Sequence, residues 1–275
     1  MTTVTQAVEA LVRKTVGLSD AQMGEPWKWR DYDEEGLRFA LLMTHHELRD
    51  LAVRLAAKRT GRTQAQAVLA QYHQAYRDLS SVLASVRDGD LDIVPAPEEW
   101  PVREVLKHML GAEYGFLRVC TFALQRRKAG NAAEPTDAEW EASGPAFIEP
   151  RNAATTSLAS ASVEGARNVF ADIHMRILRD LGGIADADID APSWFWDGQM
   201  PLRFRLHRFE EHLRQHTVQL DKTLGMIDRA PSEAHRLIRN IYNALADVEM
   251  EPSAEPELRA QFARVIAERA EALAV

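Results

Sequence analysis

The residues of this chain that could do chemistry gather in two stretches. In Phe209-Glu-Glu-His212-Leu-Arg-Gln-His216 two imidazoles stand four residues apart. On a helix that spacing puts them on successive turns of one face, with Cβ atoms about 6 Å apart, so both can reach one ion. Leu206, Phe209, Leu213, Leu220 and Leu224 mark the buried stripe of the same helix, and the two histidines fall on or beside it. Such a pair alone is weak evidence, because the spacing arises by chance and a half-buried histidine commonly satisfies a backbone carbonyl. A third ligand from a facing helix changes the balance. His108, in Trp100-Pro-Val-Arg-Glu-Val-Leu-Lys-His108-Met-Leu, flanks the inward positions Val105 and Ala112 and can also reach a bundle interior. Three neutral imidazoles with a coordination position left over form the pattern of an open, catalytic divalent-metal site.

Other side chains near these histidines have two readings each. Glu113 is in phase with the apolar Met109, Leu110 and Leu117, where a carboxylate is costly unless paired. It reads as an acceptor for a ligand N–H or a general base, or else as a salt bridge at the bundle edge. Arg203, Arg205 and Arg208 read as an anion-binding patch for a cofactor, or as a solvated face. Trp194, Phe195 and Trp196 either wall a pocket or seat a loop, packing being the usual role of clustered aromatics. His45, His46, His73, His174, His207 and His235 have no partner at metal spacing and read as surface or capped histidines.

The elements that must position these groups are helices. Apolar residues recur three and four apart through most long segments, and no strand-type alternation is sustained, so the fold class is all-α. Helices are expected near 3–17, 34–58, 63–87, 101–127, 162–181, 201–226 and 258–273. Pro101 fits the first helical position, where its missing N–H has no partner. The four starting near 63, 101, 162 and 201 suit a four-helix bundle. The expected division is an N-terminal helical extension (1–62), the bundle with its metal site (63–228) and a C-terminal helical extension (229–275). Residues 130–160, rich in Ala, Pro, Ser, Thr and Asn without periodicity, read as a lid or excursion, and 186–200 as a loop.

Composition narrows the function classes. A net charge of −8 opposes general nucleic-acid binding, which needs a surplus of Lys and Arg on one face. Acidic or basic residues interrupt every apolar run short of a membrane span, and the start lacks the basic flank of a signal peptide, so a cytoplasmic protein is expected. Cys120 is the single cysteine, which leaves any metal to histidines and carboxylates. Its apolar helical setting predicts a buried, inert thiol.

The paired motifs Glu98-Glu-Trp100-Pro-Val-Arg-Glu-Val-Leu-Lys-His108 and Glu211-His212-Leu-Arg-Gln-His216-Thr-Val-Gln-Leu220 resemble the DinB/YfiT-like superfamily. The likeness spans roughly residues 63–228. It implies a four-helix bundle with one long crossover, a homodimer, and one zinc, nickel or iron ion held by His108, His212 and His216. Relatives of that kind include transferases and an isomerase that use a low-molecular-weight thiol such as mycothiol or bacillithiol. The implied activity is thiol transfer to a small-molecule substrate; metal-dependent hydrolysis, or a non-catalytic, stress-associated ligand-binding role, would use the same residues. Pro101 stands where the pattern has Ser, which changes the helix cap.

Overall fold

The computed structural model describes residues 2–195, 198–251 and 255–273. Its helices are α1 (Val4–Thr15), α2 (Asp20–Met23), α3 (Arg38–Ala56), α4 (Gln64–Ser85), α5 (Val102–Lys128), α6 (Asp137–Ala142), α7 (Pro145–Ala159), α8 (Val163–Leu181), α9 (Leu202–Met226), α10 (Glu233–Glu249) and α11 (Pro256–Ala272). One antiparallel hairpin, β1 (Pro192–Phe195) and β2 (Gly198–Pro201), interrupts them, with Ser193 opposite Met200. The all-α class stands. The hairpin lies where a loop was expected, because two four-residue strands carry too little alternation to read.

The chain divides into two compact units, Met1–Gly61 with Arg77–Ser85 and Arg229–Val275, and Arg62–Tyr76 with Val86–Asp228. The segments read as separate extensions thus build one unit. The reason is burial: α1 packs on α11 and α3 on α10, each covering an apolar face that neither end of the chain could cover by itself. Leu11, Leu41, Leu48, Ile241, Leu245 and Ile266 make up part of this core. Inside it Arg269 is fully buried and donates to both carboxylate oxygens of Glu47 and to the Thr44 hydroxyl.

The second unit holds the first part of α4 together with α5, α8 and α9, the four bundle helices, close to their expected bounds. Leu106, Met109, Leu110, Leu117, Phe170, Ile173, Ile177, Leu206, Phe209 and Leu213 are among its buried apolar residues. Pro101 and Pro201 are the N-caps of α5 and α9, one residue ahead of the first helical position expected for Pro101. The connector before α5 is pinned by Arg103, whose guanidinium donates to both oxygens of Asp92 and to the Leu158 and Ala161 carbonyls.

Residues 137–159 correct the reading of an excursion without regular structure: they form α6 and α7, of which α7 lies against α5 and α8 and α6 meets α5 through Glu139 with Arg126 and Trp140 with Phe122. Thr136 caps α6 with a capping box and Pro145 opens α7. In these two helices only Phe147 and Leu158 are buried, too few apolar positions to register as a period.

Candidate metal centre

His212 and His216 extend from one face of α9, and α5, packed along it, brings His108 to meet them. One nitrogen from each ring forms a triangle whose corners lie within 4.8 Å of one another. The His212 and His108 Nε2 atoms are 3.1 Å apart. Donors about 2.1 Å from a common ion stand about 3.4 Å apart in a tetrahedral shell, so the set fits ligation of a divalent ion with small ring adjustments. His212 and His216 are buried whereas His108 is exposed, which leaves the triangle open on the His108 side.

Two observations show these rings prepared to act as ligands. The His216 Nδ1–H donates to the Gln219 side-chain carbonyl at 2.7 Å, which fixes the ring's orientation. Gln219 lies three residues beyond the second ligand, within the motif already quoted, but its part in the site shows only in the structure. Burial is the first cause that pushes the His212 pKa down to about 3; the neighbouring His216, His108 and Arg208 add to it. His108 is also lowered, by burial and then by His216. Both are neutral at physiological pH, as metal ligation requires.

Aromatic rings brace the cluster. Trp100 stands 5.4 Å from His108 between ring centroids, and Phe116 meets His212 edge-on at 5.5 Å. Phe116 also packs edge-on against Phe209, one turn before His212.

Glu113 is not with the histidines. Five residues on from His108, it is turned about 140° around α5 and accepts a hydrogen bond from the Tyr72 hydroxyl of α4. It is 1% exposed, and burial raises its carboxyl to about 8, partly offset by the Tyr72 bond. The general-base and ligand-acceptor readings therefore find no contact in the structure. Tyr72 leans on His174, whose Nε2 lies 2.8 Å from Nδ1 of His73, and both histidines are buried. They are not surface residues; α4 and α8 bring together two rings 101 positions apart, a pairing that no local spacing reveals.

The three arginines do not form a patch. Steps of two and five residues turn them about 160° and 140° away from Arg203 around the helix. Arg203 pairs with Asp190 at the surface. Arg205, 3% exposed, donates to the Ser193 hydroxyl and the Gly198 carbonyl and so ties the hairpin to α9. Arg208 alone is near the cluster, one turn before His212, its guanidinium 5.7 Å above the Phe116 ring and paired with Glu211. Phe195 packs against Trp140, the seating role rather than a pocket wall, and Trp196 is outside the described residues. Cys120 is buried and its thiol is pushed up by burial, as its setting predicted.

No described helix is long and apolar enough to cross a membrane. No curated protein and no solved structure matches the chain. A family model described as the DinB superfamily matches residues 71–220, which contain all three histidines.

Proposed function

The chain belongs to the DinB superfamily, and from that premise we propose that it is a divalent-metal enzyme in which His108, His212 and His216 hold zinc, nickel or iron and a low-molecular-weight thiol is transferred to a small electrophile. The observation that carries this reading is the open triangle of three imidazole nitrogens within 4.8 Å. When bound, the ion supplies Lewis acidity, which lowers the pKa of a thiol or water at neutral pH.

The protein's own residues do the rest. Gln219 holds the His216 ring in one orientation. Burial keeps His212 unprotonated. Phe116 closes the His212 side with an apolar edge, and the exposed His108 side admits the substrate. The reading includes a cytoplasmic homodimer, the assembly implied by the family resemblance, which light scattering of the purified protein tests directly.

Elemental analysis of wild type, His108→Ala and His216→Ala tests the centre. The expected result is about one ion per chain in wild type and loss of the ion in both variants; equal occupancy in all three overturns it. Metal-loaded protein given bacillithiol or mycothiol and an aryl halide electrophile should consume thiol and release halide at equal rates. Turnover of an ester without thiol loss would assign hydrolysis to the same residues instead.

A further inference from the structure

The segment that leads into α5, residues 92–100, is held at both ends and at one place between. At its start the Arg103 guanidinium grips both carboxylate oxygens of Asp92. At its end Pro101 caps α5, and Trp100 lays its ring 5.4 Å from that of His108. Between them Lys222 of α9 donates to the Glu99 carboxylate. The segment thus passes between the two helices that carry the histidines.

Its middle is a turn built under strain. The Glu99 N–H donates to the Ala96 carbonyl at 3.1 Å, Pro97 stands second, and Glu98 stands third with a φ of 69°. This is the pattern of a type II turn, whose third position suits glycine or asparagine because the left-handed conformation crowds a Cβ. The fastening is weak as well. The Lys222 side chain is 57% exposed and that of Glu99 30%, so water and salt screen their attraction. Ile93 and Val94 of the same segment are exposed rather than packed. A strained turn with a screened ion pair and little apolar burial opens at low cost.

What this turn carries lies at the metal centre. The rings around His108 are His212, His216 and Trp100. The first two are buried, whereas Trp100 is 43% exposed and so stands on the side where the triangle is open.

We propose that residues 96–100 form a gate over the metal centre. With Glu99 fastened to Lys222, Trp100 rests on His108 and obstructs the open side; when the turn lets go, Trp100 leaves and the ion passes. The gate rests on the metal-centre reading given above. A gate crossed in both directions changes uptake and release by the same factor and leaves the dissociation constant where it was. A side chain that merely supported His108 would change the constant itself.

The test uses full-length protein loaded with Zn(II). Release to excess 4-(2-pyridylazo)resorcinol is followed by stopped flow, and uptake by the metal-free protein is measured in the same way. Glu99→Gln should speed release about two- to fivefold, the range of an exposed ion pair. Raising salt to about 1 M, where screening acts within about 3 Å, should speed release from wild type by a similar factor and leave Glu99→Gln unchanged. Glu98→Gly, which removes the left-handed strain, should shift the rate in the opposite direction and slow release about twofold. Trp100→Ala should speed uptake and release alike, about tenfold, with an unchanged dissociation constant. If His108→Ala loses Zn(II) but Glu99→Gln and Glu98→Gly both release it at the wild-type rate, the gate alone is overturned. Faster release from Trp100→Ala without faster uptake overturns it too, because Trp100 is then a support. Zn(II) retained by His108→Ala overturns the metal centre and the gate with it.

Discussion

At the scale of single residues, the molecule places opposite demands on its buried titratable groups. His212 is held neutral by losing its proton, with its pKa pushed down to about 3. Glu113 is held neutral by keeping one, with its carboxyl raised to about 8. In the unfolded chain a glutamate ionises near 4.5. Below that pH both states hold the proton and Glu113 costs nothing; as pH rises toward 8 the unfolded state gains by ionising and the folded state does not. Glu113 therefore removes stability between about pH 4.5 and pH 8, a loss of a few kcal/mol at about 1.4 kcal/mol per pH unit. Glu113→Gln keeps a group that can pair with Tyr72 but cannot ionise. Urea unfolding at pH 5 and pH 8 should show a smaller stability difference in this variant than in wild type, and an unchanged difference would refute the assignment.

At the scale of elements, the hairpin and the start of α9 form one piece because of Arg205. Its guanidinium reaches the Ser193 hydroxyl at 3.1 Å and the Gly198 carbonyl at 2.8 Å, and Ser193 in turn donates to the Met200 carbonyl. Two strands of four residues have no independent stability in water, so this buried tie supplies what the short ladder lacks. Arg205→Ala leaves those acceptors without their charged donor at a cost of about 2–4 kcal/mol. The expected signs are a lower urea midpoint and faster proteolysis within residues 192–201. Cleavage no faster than in wild type would mean that the hairpin is held by Trp140 and Phe195 instead.

At the scale of the whole molecule, a ligand that binds only the folded chain must raise its stability. For an ion present at a thousandfold excess over its dissociation constant the gain is about 4 kcal/mol. Removing the ion with EDTA should lower the melting temperature of the metal-loaded wild type by several degrees. His216→Ala, unable to hold the ion, should melt at the same temperature with and without EDTA. Equal EDTA shifts in the two proteins would place the ion elsewhere.

Legibility of this protein follows the range of each interaction. Helix positions in the bundle and the partnership of His212 with His216 could be read locally, since a 3.6-residue period and an i, i+4 spacing are properties of one segment. The helices α6 and α7 bury too little to show a period, and the hairpin is too short to show an alternation. His108 was pointed to by phase and by a family motif, yet only the packing of α5 along α9 brings its Nε2 to 3.1 Å from that of His212. Arg203 is turned away from Arg205 and Arg208 by the helix's own turn of about 100° per residue, a local property, whereas only the folded structure shows Arg205 buried against the hairpin and Arg208 beside Phe116. Helix packing also moves Glu113 from the histidines to Tyr72 and joins His73 to His174. A segment can specify which side chains share its own face, but which faces then meet depends on how all the apolar stripes are buried together.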